Sequence, residues 1–147
     1  MGLLNSAAKH GDLKLNPFNF QHKVLNSLSV YIDGIQYPTV AFRPDFSGGE
    51  WVRPYQEFFR ATGQYYGSIG PEISYEEYGR GHSLFALDLS PDQSALDGNH
   101  FNLFKNGAMC MNLRFEKALD INMSLVVLAA FQNIIEIDKS RNVTTDY

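Results

Sequence analysis

Hydrophobic and polar residues alternate with a period of two along several short stretches of the chain. In residues 109–115 (Met-Cys-Met-Asn-Leu-Arg-Phe) every second side chain is apolar, which is typical of a strand with one buried face. Residues 123–131 (Met-Ser-Leu-Val-Val-Leu-Ala-Ala-Phe) are apolar almost throughout, which indicates a strand buried on both faces, or a buried helix. Asp120 and Asn122 mark a turn between them. The pattern therefore predicts a long central hairpin over residues 107–138.

Shorter strand patterns precede this hairpin. Residues 25–32 alternate and are followed by Asp33-Gly34, the strongest short hairpin signal. The returning strand is expected to end at Pro38 or to lie at a sheet edge there, because proline cannot donate a ladder hydrogen bond. Residues 83–89 and 100–105 are predicted to be further strands, with turns over residues 90–92 and 97–99.

Two segments carry helical signals instead. Aromatic residues at positions 51, 55, 58 and 59 share one face of a helix, in which Pro54 is tolerated only in the first turn and Gly63 caps the end. Ser74 followed by Glu77 forms the pattern of a capping box and predicts one helical turn.

These patterns predict an all-β protein, an antiparallel β-sandwich of the jelly-roll type with one or two short helices in its loops. An aromatic content of 14%, with 11 Phe and 8 Tyr, agrees with this class. Residues 1–15 lack periodicity and are expected to be a flexible arm, and residues 16–147 a single domain.

Composition narrows the functional classes. The formal net charge of −4 and the lack of a Lys/Arg cluster argue against a nucleic-acid site. The single cysteine, Cys110, excludes an intrachain disulfide and favours a reducing compartment, and no signal peptide or membrane-spanning run is found. Met1-Gly2 with Ser6 fits the N-myristoylation pattern, which is common by chance.

The sequence shows no catalytic constellation. The four histidines, at positions 10, 22, 82 and 100, lack metal-ligand spacing. Glycosidase chemistry needs two carboxyls that face each other in a cleft, and neither Glu76-Glu77 nor Asp88 with Asp92 shows this in the sequence. Glu76-Glu77 is better explained by helix capping and solvation, and nothing cationic lies beside Cys110 to activate it. We therefore expect no enzyme activity, no cofactor, and no catalytic, cofactor-binding or metal-binding residues.

A binding module remains open as a second class. Its candidate ligand contacts are Trp51, Tyr55, Tyr65 and Tyr66, which could form a platform for a sugar ring. The helical spacing of the first two favours a buried face over such a platform.

Seven stretches, taken in order, form a family pattern. They are residues 16–22 (Asn-Pro-Phe-Asn-Phe-Gln-His), 31–34 (Tyr-Ile-Asp-Gly), 43–46 (Arg-Pro-Asp-Phe), 78–81 (Tyr-Gly-Arg-Gly), 85–92 (Phe-Ala-Leu-Asp-Leu-Ser-Pro-Asp), 113–119 (Leu-Arg-Phe-Glu-Lys-Ala-Leu) and 131–143 (Phe-Gln-Asn-Ile-Ile-Glu-Ile-Asp-Lys-Ser-Arg-Asn-Val), before the final Asp146-Tyr147. From about residue 16 to the last residue, the chain resembles the C-terminal part of the hexon-like major capsid protein of Polinton (Maverick) elements and adintoviruses.

The resemblance implies a structural virion protein that assembles with itself, as a homotrimer and with capsid neighbours, and has no catalytic residues. The family protein carries two jelly rolls, and this chain has the length of the C-terminal one. The implied location is the virion; otherwise the sequence indicates the cytoplasm or nucleus. The alternative is a domesticated jelly-roll module that binds a glycan or a protein ligand.

Overall fold

The computed structural model of the protein describes residues 1–67, 70–90, 93, 107–131 and 135–145. Its elements in chain order are β1 (Gly2–Asn5), α1 (Ser6–Lys9), β2 (Leu25–Ile32), β3 (Ile35–Phe42), α2 (Val52–Ala61), α3 (Tyr75–Tyr78), β4 (Met109–Phe115), β5 (Met123–Val126), β6 (Ile135–Ile137) and β7 (Val143–Thr145). The described part is thus mainly strands, which pair antiparallel, with a few short helices.

The largest sheet has the order β3-β2-β4. The hairpin at Asp33-Gly34 is confirmed, and both turn residues have the positive φ that such a tight turn needs. β3 continues through Pro38 to Phe42, so the strand does not end at Pro38. It is an edge strand of this sheet, and its pairing with β2 shifts register, so that residues 38–41 fall outside the ladder.

The predicted central hairpin does not form. β4 pairs with β2 along its whole length, whereas β5 pairs with β1, placing Val126 opposite Gly2. The connection over residues 116–122 is long enough to let the two arms join different sheets. Its turn residues carry no two-residue hairpin signal that would hold the arms together.

The second arm is also less buried than predicted. β5 ends at Val126, and residues 127–131 have no regular structure. Leu128 is 92% exposed and Phe131 81% exposed. The strand expected to be buried on both faces is therefore short, and its apolar continuation lies on the surface.

The N-terminal residues are not a flexible arm throughout. β1 forms between β5 and Leu84, and Leu3 and Leu4 are only 5% and 4% exposed. The Met1 amine donates to the Phe85 carbonyl, and the Phe85 amide donates back to the Met1 carbonyl, each at 2.8 Å. The burial of two leucines thus outweighs the entropy of ordering a terminus.

The main core cluster lies between β2, β3 and the segment after α3. Its buried side chains are Leu25, Leu28, Phe42 and Phe85. Residues 83–89 supply Phe85 to this cluster but form no strand, because only Leu84 makes a β-bridge, with Gly2. The strand predicted there is therefore wrong.

Both helical predictions are confirmed. α2 carries Pro54 in its first turn, and Gly63 follows its end with φ +69°. α3 begins with the reciprocal capping box of Ser74 and Glu77. Trp51 is the N-cap of α2 rather than part of its apolar face.

Some predictions fall outside the described residues. These are the strand over 100–105, the turn over 97–99 and most of the turn over 90–92. In the described part of the chain, no helix has both the length and the apolar character needed to cross a membrane.

Candidate functional site

Four aromatic rings stack into a row beside the core, which we call the aromatic row. It comprises His22, Phe46, Trp51 and Tyr75, with centroid distances of 4.0, 5.3 and 5.0 Å between successive rings and interplanar angles of 16–20°. Each inner ring has a neighbour on both faces, so the row is a packed structural unit.

Hydrogen bonds fix Trp51 within this row. Its amide donates to the Tyr75 hydroxyl oxygen at 3.1 Å, and its Nε1 donates to the Tyr75 carbonyl at 2.9 Å. The Tyr75 hydroxyl donates in turn to the Gly49 carbonyl at 2.9 Å. Gly79 borders the indole so closely that a Cβ there would overlap the ring. Any larger residue at position 79 must displace Trp51.

This packing separates the four candidate ligand contacts into two pairs. Trp51 has both faces covered, and Tyr55 packs edge-on against Phe59, Tyr75 and Tyr78 while its hydroxyl donates to the Ile73 carbonyl at 3.0 Å. Neither presents a free face to a sugar.

Tyr65 and Tyr66 are different. They are 50% and 95% exposed and contact each other edge-to-face at 4.9 Å. Of the four candidate ligand contacts, Tyr65 and Tyr66 are the two that are placed to meet a ligand.

A strained turn lies next to the aromatic row at His22. The Leu25 amide donates to the His22 carbonyl at 2.8 Å, which closes a four-residue turn whose central residues, Lys23 and Val24, have φ of 46° and 50°. Such turns normally carry Asn or Gly. Left-handed backbone costs about 1–2 kcal/mol per ordinary residue, so neighbouring contacts must hold this turn.

Three contacts hold it. The Val24 amide donates to His22 Nδ1 at 3.0 Å, the Glu116 amide donates to the Val24 carbonyl at 3.0 Å, and Lys23 Nζ lies 3.1 Å from Asp120 Oδ1. The turn is therefore joined to the connection between β4 and β5. The sequence gives no signal for it, because a Lys-Val pair does not mark this turn type.

Burial shifts the pKa of several groups here and in the core. It lowers the pKa of His22, as does the charge of Lys23, while the Gly79 carbonyl acts in the opposite direction. Burial raises the pKa of Tyr78 well above its ordinary value and lowers that of the Met1 amine. The bond from Lys23 lowers the pKa of Asp120.

An open cleft of 330 Å³ adjoins the turn and includes Asp45, Phe46 and Glu116 in its lining. Both carboxylates have local partners: Asp45 accepts from the Gly48 amide at 2.7 Å, and Glu116 accepts from the Ser47 hydroxyl at 3.1 Å. They therefore stabilise the surrounding loops.

The other carboxylates and histidines considered for catalysis or metal binding do not come together in one site. Glu77 serves the capping box, which lowers its pKa, and Glu76 lies 4.0 Å from Arg80. Asp88 accepts from Ser90, while Asp92 and His100 lie outside the described residues. Within the described ranges, no three His, Cys, Asp or Glu side chains cluster to hold a metal.

Two remaining sequence features have structural explanations. Cys110 is exposed on β4, opposite Tyr31 of β2. Gly2 lies so close to Phe20 and Leu84 that a Cβ would overlap them, so packing accounts for this glycine without any modification.

An exposed apolar segment lies in the C-terminal part of the chain. We call residues 126–131 the apolar strip. Val126 and Val127 are 39% and 40% exposed, and Leu128 and Phe131 are exposed almost fully. The sequence predicted a strand buried on both faces here, and it left open whether Val126, Leu128 and Ala130 belong to the core or to a surface that the other jelly roll covers.

No protein-family model and no solved structure matches the chain. An uncharacterized protein of Caenorhabditis elegans is 27% identical over 150 residues, which cover 99% of this chain. The chain spans about a third of that relative's length (35%).

Proposed function

We propose that this chain is part of a structural shell protein that works by self-association into a trimer, like the hexon-like capsid proteins that it resembles. On this proposal the three-stranded sheet and the β1–β5 pair belong to one jelly roll. The mainly antiparallel strands support the class. The observation that carries the proposal is the apolar strip.

The strip has the composition of an interface rather than of a solvated loop. Residues 123–131 contain no charged side chain, and Leu128 and Phe131 are the most exposed large apolar residues within it. Monomeric proteins rarely expose large contiguous apolar patches, and such patches mark sites of contact with another protein, a membrane or a ligand. Cores of interfaces are depleted of charge and enriched in aromatic residues.

The β6–β7 ribbon supports the same conclusion. Ile137 pairs with Val143, and Ile135 lies on the same face two residues before Ile137, so one face of the ribbon is apolar. These three side chains are 62–69% exposed. Because a lone two-stranded hairpin is marginal in water, this ribbon is expected to pack against a second surface.

The test is the molar mass of the protein in solution, measured by light scattering on a sizing column over a range of concentrations. We expect a discrete trimer, at three times the 16.6 kDa chain mass. Leu128→Glu and Phe131→Glu should shift the protein to monomer, because a buried unpaired carboxylate opposes assembly.

Leu13→Glu is the matched control, since Leu13 is fully exposed but lies outside the strip. It should leave the trimer intact. A monomer at every concentration, or equal loss of assembly in all three variants, would contradict the proposal.

A ligand-binding module is the second candidate, and the exposed Tyr65–Tyr66 pair is the observation that favours it. Exposed aromatic pairs offer stacking faces to sugars and edges to peptides. Binding of a glycan panel that is lost in Tyr66→Ala but kept in Tyr55→Phe would support this function. Absence of binding across the panel would leave the structural function as the better account.

A further inference from the structure

The turn from His22 to Leu25 depends on the charge state of one imidazole. The Val24 amide donates to His22 Nδ1 at 3.0 Å, and a nitrogen that accepts this bond cannot carry a proton. The hydrogen-bond pattern therefore fixes the neutral ring, with its proton on Nε2.

The same bond stabilises an unfavourable backbone. Val24 is β-branched and has a φ of 50°, a conformation that persists only when surrounding contacts enforce it. Protonation at Nδ1 would replace an attractive contact with two opposed N–H groups, and it would place a positive charge beside Lys23.

The turn also holds the connection between β4 and β5 through two contacts. Its carbonyl at Val24 accepts from the Glu116 amide at 3.0 Å, and Lys23 pairs with Asp120 at 3.1 Å. Glu116 and Asp120 both lie in the connection between β4 and β5. Opening of the turn removes these two attachments, while the Ser47 hydroxyl still donates to Glu116 at 3.1 Å and the Ser6 amide to the Asn122 carbonyl at 3.0 Å.

We propose that His22 is a pH-sensitive clamp: the neutral ring closes the turn from His22 to Leu25, which holds residues 116–120 of the β4–β5 connection, and protonation opens the turn and removes its two contacts to that connection. The clamp does not depend on self-association. It is a local two-state element whose balance a single proton shifts.

The charged groups on the surrounding elements determine the pH at which the turn opens. Lys23 opposes protonation from within the turn. Carboxylates occur on the other elements packed here: Asp45 on the loop that carries Phe46, Glu77 on α3 before Gly79, and Glu116 and Asp120 on the β4–β5 connection. Arg80 and His82, which also carry titratable side chains, come shortly after Gly79 in the sequence. Each of these carboxylates already accepts a hydrogen bond from another group.

The experiment is amide hydrogen exchange by NMR between pH 7.5 and pH 5, read as protection at Val24 and Glu116 and compared with Asn112 in β4. The imidazole has its ordinary pKa of about 6.5 only when the turn is open, whereas its pKa in the closed turn is lower, so acid favours opening. Below about pH 6.5 we therefore expect protection at Val24 and Glu116 to fall together by about tenfold per pH unit. Protection at Asn112 should change less, because β4 remains paired with β2.

Three variants separate the roles of the ring. His22→Asn keeps a side-chain acceptor for the amide two residues on but cannot titrate, so protection should be independent of pH. His22→Phe keeps the stack on Phe46 without the acceptor, so protection should be low at every pH. Val24→Gly relieves the backbone and should raise protection at every pH. His10→Asn, on a different element, is the matched histidine control and should behave as the unaltered protein does.

Two results would overturn the proposal. One is an unchanged protection at Val24 while ¹⁵N shifts show His22 becoming protonated. The other is the same acid-induced loss in His22→Asn as in the unaltered protein, including a loss shared by Asn112, which would indicate general acid unfolding. If His22→Phe does not fold, His22→Asn alone decides between these outcomes.

Discussion

Tyr78 shows how a single buried polar side chain joins separate segments. It is fully buried, and its hydroxyl donates to the Leu84 carbonyl at 2.8 Å. Its own carbonyl accepts from the Ser83 hydroxyl at 2.6 Å. Phe58 and Phe85 pack around the ring. A short helix is thereby fastened to the segment that pairs with β1.

Tyr78→Phe should destabilise the protein by about 1–2 kcal/mol, because the Leu84 carbonyl loses its donor while the ring packing remains. The measurement is the free energy of unfolding in urea. Tyr66→Phe, at a 95% exposed site, is the control and should stay within about 0.5 kcal/mol of the unaltered protein. Equal losses in the two variants would show that the buried hydroxyl contributes nothing specific.

Alkaline pH tests the same residue through its ionisation. Burial raises the pKa of Tyr78 in the folded protein, whereas an unfolded tyrosine titrates near about 10. The stabilisation is therefore complete below about pH 10 and is lost as the pH rises above that value. Urea unfolding at pH 9, 10 and 11 should give a steeper decline for the unaltered protein than for Tyr78→Phe. Parallel declines would contradict the assignment.

At the scale of elements, close packing rather than helix propensity holds α3 in place. Gly79 ends α3 with an ordinary helical φ of −74°, so its backbone does not require glycine. Its lack of a side chain matters because the Trp51 ring occupies the adjacent space.

Gly79→Ala should therefore destabilise the protein by about 1–3 kcal/mol through overpacking, although alanine adopts the right-handed helical φ of this position without strain. Gly70→Ala is the matched control, since a Cβ there meets only the flexible side chain of Gln64. Thermal unfolding followed by circular dichroism would measure both. A Gly79→Ala protein as stable as the control would mean that Trp51 moves aside freely.

The elements with local signals could be predicted from the sequence. Alternation of apolar and polar residues predicted β2 and β4. Asp33-Gly34 predicted the hairpin between β2 and β3, and Ser74 with Glu77 predicted α3. In each case the determining residues lie within a few positions of one another, so the physical cause is local.

Partners distant in the chain could not be predicted in this way. The pairing of β1 with β5 joins residues more than one hundred positions apart, and nothing in either segment specifies it. The turn at Lys23 and Val24 is held by contacts with Glu116 and Asp120, so the residues of the turn alone do not predict it. The apolar strip matched a buried strand because hydrophobicity does not distinguish a core from an interface.

At the scale of the whole molecule, the surface divides into charged and uncharged regions. The chain has 16 acidic and 12 basic residues, which give a net charge of −4. All of these residues lie outside residues 123–131. Copies of the chain repel each other weakly overall, while the strip carries no charge to be screened.

Assembly through the strip should accordingly tolerate salt. Raising NaCl from about 0.05 M to 0.5 M should leave the association constant unchanged or modestly increased, and sulfate should strengthen it. Sedimentation equilibrium at several salt concentrations would measure this. Dissociation by NaCl would show instead that ion pairs hold the copies together.

The aromatic row allows the fluorescence of the protein's own tryptophan to follow the opening of the turn at His22. The chain has one tryptophan, and only the Phe46 ring separates it from His22. A rapid pH jump that displaces the imidazole would shift Phe46 and hence the surroundings of the indole, so its emission would report the event without any attached dye. The rate at which the turn from His22 to Leu25 opens could then be measured on unlabelled protein.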